Sequence, residues 1–256
     1  MLKPFFIGAS LTLSLIAGCG SAPVKMADPA TRNTTFPEYV TTPRIMIVGD
    51  SISAGPGCYK KYLKANLTNA GITNYQFVGS YSDDCGGNVM HSAVSCSSTA
   101  NFLDHEFSLP NCFADKKFAG ITKLMQDNKP DMVMLQLGVN DVWGGSTSVS
   151  YVTDNYTKLV KKMRAQNPHV VIVVAQIHKI ITDNCENMGS YRNAEMLVQA
   201  VPAWARANST QQSPIYVADL WTNSDPKQAP DCVHPGEAGA ERMGLNWFNA
   251  LKPLLQ

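Results

Sequence analysis

Three short motifs hold a serine, an asparagine and a histidine at positions suited to acyl transfer, each in the segment that follows an apolar run. Gly49-Asp50-Ser51-Ile52-Ser53 follows Ile45–Val48. A serine at the turn from a strand into a helix exposes its hydroxyl, and the first turn of that helix leaves backbone N–H groups unpaired. Gly138-Val139-Asn140-Asp141 follows the run Asp131–Leu137, and an asparagine there can aim amide N–H groups at a developing oxyanion. Asp231-Cys232-Val233-His234-Pro235 follows Ile215–Ala218. A carboxylate just upstream of a histidine can hold its Nδ1, leaving Nε2 to face a serine. The pattern therefore assigns Ser51 as nucleophile, His234 as base and Asp231 as the residue that orients it. The backbone N–H groups of Ser51 and Gly79, with the Asn140 side chain, are the expected oxyanion donors.

Each residue also has a plainer reading. Ser51 could cap a helix, Asn140 and Asp141 could form a turn, and His234 could mark a helix entry. The arrangement of all three motifs after strand ends decides for the chemical reading. Strands are expected at 45–48, 75–78, 131–137, 170–175 and 215–218. Helical spacing is expected from Tyr59 to Leu67, with Gly71 suiting the helix end, and over 114–126, 149–165, 191–207 and 236–254. Pro202 is expected to kink or restart the fourth of these long helices. Apolar strands alternating with amphipathic helices imply an α/β fold. The expected architecture is a three-layer α/β/α sandwich around a five-stranded parallel sheet in flavodoxin-like order 2-1-3-4-5. In such sheets sites form beyond the carboxyl ends of the strands.

These residues resemble the SGNH (GDSL-type) hydrolase superfamily, whose blocks supply Ser, Gly, Asn and His in this order. The resemblance spans about Arg44 to the C-terminus, with Ile52 where leucine is usual. The G-x-S-x-G elbow of the α/β-hydrolases is absent. Pro56–Leu63 and Asn74–Gly79 are similar to the third carbohydrate esterase family, the acetylxylan esterase-like branch. That branch usually carries a His-Glu-Gly turn after its second strand, for which His91-Ser92-Ala93 is the nearest equivalent here. The resemblance implies a serine ester hydrolase working through an acyl-enzyme. Its expected substrate is a small acyl ester, such as an acetylated carbohydrate, and it needs neither cofactor nor metal. The rival expectations are a lysophospholipase, thioesterase or arylesterase of the same fold, or a non-catalytic carbohydrate-binding lipoprotein.

The N-terminus reads as targeting. Lys3 precedes the apolar run Phe5–Ala17, too short to span a bilayer, and Leu15-Ile16-Ala17-Gly18-Cys19 resembles the lipobox of bacterial lipoproteins. The expected organisation is a signal peptide over 1–18, a proline-bearing tether over 19–42 and a hydrolase domain over 43–256. Cys19 would carry the lipid. Gly20, where an aspartate would favour inner-membrane retention, points to the outer membrane, with the domain facing the periplasm or the cell exterior. Six further cysteines, an even number, suit disulfides in an oxidising compartment. In the expected strand order Cys185 and Cys232 fall together on one side of the sheet and are paired. Cys58, Cys85, Cys96 and Cys112 fall on the other side, and their pairing stays open. With a net charge of +1 and no basic cluster, the chain has no expected nucleic-acid partner.

Overall fold

Along the chain, Arg44–Gly49 forms strand β1, whose residues from Ile45 onward are buried. Helix α1 is one turn, Ser51–Ala54, and α2 spans Tyr59–Asn69. Strand β2, Gln76–Val78, precedes an antiparallel hairpin of β3 (Tyr81–Ser82) and β4 (Met90–His91). Strand β5 (Glu106–Ser108), the short helix α3 (Pro110–Phe113) and β6 (Lys117–Ala119) follow, with β5 and β6 antiparallel. The rest alternates: α4 (Ile121–Asn128), β7 (Met132–Gln136), α5 (Val139–Val142), α6 (Val149–Gln166), β8 (Val171–Gln176), α7 (Met188–Asn208), β9 (Ile215–Asp219) and α8 (Glu237–Leu255). This computed structural model describes residues 35–256 apart from 56–57, 84, 86, 144, 181–187, 226 and 228. The expected signal peptide, the tether up to residue 34, Cys19 and Cys185 lie outside the described residues.

The five long-range strands form one parallel sheet in the order β2-β1-β7-β8-β9, the expected 2-1-3-4-5 winding. The inner strands β1, β7 and β8 read as continuous apolar runs because helices cover both faces. Ile45–Val48 and Met132–Leu135 are fully buried. Helices α2 and α8 pack on each other in one layer, while α6 packs on both α4 and α7 in the other. Gly244 lets α8 lie against α2: an ideal Cβ there would sit 2.6 Å from the Tyr62 Cβ and 2.8 Å from the Tyr59 carbonyl oxygen. This contact fixes the start of α2 and with it Tyr59, whose hydroxyl meets the Ser53 hydroxyl at 3.0 Å in the turn carrying Ser51.

Two expectations change. The helix expected over 114–126 starts only at Ile121 and runs to Asn128. Lys117–Ala119 is instead a strand paired with Glu106–Ser108, and Phe118 stacks on Phe107 at 5.6 Å. Helix α7 runs through Pro202 as one element. Proline cannot donate to the carbonyl four residues back. That carbonyl, on Val198, accepts from Gln176 Nε2 at 2.8 Å at the end of β8, so a sheet side chain satisfies the group that Pro202 leaves unpaired.

Candidate active site

Asp50 ends β1 and starts α1. Its Oδ1 accepts from the Ile52 backbone N–H at 3.0 Å, as a helix N-cap does. This makes Ser51 the first residue of the helix and turns it out of the sheet. Asp50 is fully buried and its Oδ2 has no hydrogen-bond partner among the described residues. Burial pushes its carboxyl up to about 7, and the nearby Asp141 adds to the rise.

On the far side of the sheet's carboxyl edge, the turn after β9 presents His234. Asp231 Oδ1 accepts from the backbone N–H groups of Val233 (3.1 Å) and His234 (2.7 Å), closing a tight turn. Asp231 Oδ2 meets His234 Nδ1 at 2.6 Å, and His234 Nε2 meets Ser51 Oγ at 2.8 Å. A carboxylate can only accept, so Nδ1 carries the proton and Nε2 is free to accept from the serine. Partial burial raises the Asp231 carboxyl, but the three hydrogen bonds from His234 and Val233 outweigh it and leave it below the usual range. The structure thus brings Ser51, His234 and Asp231 into one hydrogen-bonded chain.

Sequence reasoning missed what lies beneath this turn. His178, after β8, places Nε2 2.7 Å from the Val233 carbonyl. Since a carbonyl accepts, His178 carries its proton on Nε2, and its buried Nδ1 is left without a partner among the described residues. Burial pulls the ring down to about 4, so it is neutral near neutral pH. No local motif marks His178, because its partner lies 55 residues away.

Asn140 sits in α5, whose cap Gly138 takes a φ of 114° that favours glycine. Its Nδ2 donates to the Ser97 carbonyl at 2.9 Å. Asp141 accepts from the Thr99 N–H (2.9 Å) and hydroxyl (2.5 Å), so it ties the Ser97–Thr99 segment to α5. The segment is held to β1 as well: Ser92 N donates to Ile47 O (2.8 Å) and Val94 N to Gly49 O (2.9 Å).

The structure does not bring Gly79 to this cluster. Val78 pairs with Met46, so Gly79 lies level with Ile47, four residues short of Ser51. An ideal Cβ on Gly79 would meet the His91 carbonyl group at 2.3 Å, so the glycine admits a crossing backbone. Residues 92–94 take the place beside the upper half of β1, and the Ser97 carbonyl that follows meets Asn140. Cys96 there has a left-handed φ of 65°, and its N–H makes no hydrogen bond among the described residues. A glycine would have signalled this conformation; a cysteine does not.

Disulfides brace this edge. Cys58 pairs with Cys85 and Cys96 with Cys112, which resolves the pairing that the sequence leaves open. Cys232, two residues before His234, is also disulfide-bonded, while its expected partner Cys185 lies outside the described residues.

A strand-end serine hydrogen-bonded to a histidine, with an asparagine on a neighbouring strand end, defines the class. The chain belongs to the GDSL-like lipase/acylhydrolase family, which it matches over residues 47–242. It is similar to a multidomain esterase of Ruminococcus flavefaciens, 27% identical over 84% of this chain and spanning 29% of that protein's length. Among solved structures it resembles an acetyl esterase mutant crystallised with acetate ion, at TM-score 0.70 and 25% identity over 84% of this chain and 98% of that one. A family 3 carbohydrate esterase from Talaromyces cellulolyticus matches with the same values.

Proposed function

We propose that the protein removes small acyl groups, chiefly acetyl, from carbohydrate through a Ser-His-Asp acyl-enzyme. The observation that carries this reading is the hydrogen-bonded chain Asp231–His234–Ser51, with distances of 2.6 and 2.8 Å. His234 takes the Ser51 proton as Oγ attacks the ester carbonyl, then gives it to the departing alcohol. Water, deprotonated by the same ring, releases the acid. Asp231 holds the tautomer and stabilises the imidazolium. The oxyanion is held by the Ser51 N–H and the second Asn140 amide hydrogen, with the Cys96 N–H in the place first expected for Gly79. The likeness to a family 3 carbohydrate esterase and an acetyl esterase supports the choice of an acetylated sugar over a long-chain lipid.

The test compares acetylated xylan with p-nitrophenyl esters of increasing chain length. Acetate release from xylan, with activity falling steeply beyond short chains, is the expected result; a preference for long chains would contradict it. Ser51→Ala must abolish both activities.

We also propose export and anchoring through a lipid on Cys19 to a bacterial outer membrane. The apolar run ending at Cys19 and disulfides such as Cys58–Cys85 and Cys96–Cys112, which persist in oxidising compartments, support it. No helix among the described residues is long and apolar enough to cross a membrane. Membrane fractionation of cells producing Cys19→Ala would release the protein if the lipid is the anchor, and leave it bound if not.

A further inference from the structure

Behind the turn that carries Ser51 lies a buried ion pair that the hydrogen-bonded chain to Asp231 does not use. Lys60 stands in the first turn of α2 and is fully buried, a state that lysine rarely takes without a counter-charge. Its Nζ lies 3.7 Å from Asp83 Oδ2, with the two side chains 0% and 1% exposed. The same ammonium donates to the Ser53 carbonyl at 2.5 Å. Ser53 belongs to α1, one turn of helix that begins with Ser51 and ends at Ala54. The last carbonyls of a helix have no helical N–H to accept from. Lys60 thus supplies from α2 a donor that a longer α1 would have supplied from itself. The adjacent Tyr59 meets the Ser53 hydroxyl at 3.0 Å. Consecutive residues of α2 therefore hold the backbone and the side chain of one residue in the nucleophile's turn.

Asp83 comes from the β3–β4 hairpin, where its N–H donates to the Val89 carbonyl at 3.3 Å. Two ties draw that hairpin onto α2. The Cys58–Cys85 disulfide joins the residue just before α2 to the loop just after Asp83. Lys64 Nζ donates to the Gly87 carbonyl at 2.7 Å. Neither Asp83 carboxyl oxygen makes a hydrogen bond among the described residues, and 3.7 Å is too long for one. A buried pair whose carboxylate lacks hydrogen bonds returns little stability, because desolvation of both charges offsets their attraction. What the pair does provide is a fixed donor at the Ser53 carbonyl. We infer that Lys60 is a positioning residue for the nucleophile: steadied by Asp83, it fixes the Ser53 carbonyl and so sets the turn on which Ser51 meets His234. The inference rests on the proposed esterase reading, in which Ser51 attacks from its 2.8 Å contact with His234 Nε2. A small shift of that turn spoils the attack geometry at a large cost in rate.

The test compares Lys60→Met with the double variant Lys60→Met, Asp83→Leu in the whole purified protein. Both are assayed with p-nitrophenyl acetate well below their own Tm. Lys60→Met leaves the Asp83 carboxylate buried without its cation, so it should lose stability. It should also lose about tenfold or more in kcat, with KM little changed. The double variant replaces the pair with apolar side chains and should regain most of the lost Tm. It should keep the low kcat, since no donor returns to the Ser53 carbonyl. Turnover that returns together with Tm in the double variant would overturn the assignment, by making the pair a support of the fold alone. Full kcat in a folded Lys60→Met would overturn it as well. Should the single variant fail to fold, the double variant carries the test; a double variant that also fails to fold would make the pair a requirement of the fold and overturn the assignment too. Failure of the esterase reading shows separately, as wild-type protein without Ser51-dependent hydrolysis.

Discussion

His178 Nε2 donates to the carbonyl of Val233 at 2.7 Å, one residue before the histidine that faces Ser51. The bond crosses from the end of β8 to the turn after β9 and holds the backbone on which His234 is mounted. His178→Ala removes it and leaves that partly buried carbonyl unpaired. A sub-ångström shift of His234 suffices to spoil attack geometry. The expected result is a fall in kcat of about tenfold or more with KM little changed, read with p-nitrophenyl acetate. His178→Gln, which can still donate, should recover part of it.

Burial raises the Asp50 carboxyl and leaves one oxygen unpartnered among the described residues. Its folded pKa, about 7, lies above the ordinary value of 3.8, so the folded state binds the extra proton between those limits. Asp50 therefore costs stability as pH rises from about 4, with the full cost reached above about 7. Asp50→Asn keeps the acceptor for the Ile52 N–H and removes the ionisation. Thermal melts should show the variant gaining on wild type across that range, by a few kcal/mol at most, and levelling off above it. A gain that is the same at pH 4 and pH 8 would contradict a carboxyl raised by burial.

Two buried histidines act with the opposite sign. Burial pulls His91 and His178 down to about 4 from an ordinary 6.5. The unfolded chain takes up those protons first, so stability falls as pH drops from about 6.5 towards 4. In wild type, Asp50 offsets part of this loss over the same range. Asp50→Asn should therefore lose stability more steeply on acidification than wild type does, measured as Tm against pH.

Much of this was legible in the sequence. The strands showed because β-branched and apolar runs such as Val170–Ala175 have no other comfortable conformation, and the Ser51, Asn140 and His234 motifs fell where those runs end. The chain between β2 and α4 was not legible. There Phe107, Phe113 and Phe118 pack on one another across the β5–β6 hairpin, which mimics helical spacing around Phe118. Gly79 misled for a related reason. Its glycine serves the His91 backbone, while Cys96, one of the left-handed residues, has a conformation held by long-range contacts with no local signature.

The Cys96–Cys112 bridge fixes that residue by its side chain. Closing a loop of 16 residues stabilises the fold by about 3 kcal/mol in the chain-entropy view. A Cys96→Ala, Cys112→Ala variant should lose about that much stability. It should also lose turnover at temperatures where it remains folded, because the donor N–H is no longer held. Full kcat in a folded variant would remove the Cys96 N–H from the oxyanion site.

The central claim is that Ser51 is a nucleophile activated by His234. Treating the purified protein with a fluorophosphonate and mapping the adduct by peptide mass spectrometry tests it directly. The account predicts one adduct, on Ser51, formed far more slowly in His234→Ala and absent in Ser51→Ala. A folded wild-type protein that stays unmodified, or that is modified at another residue, would contradict it.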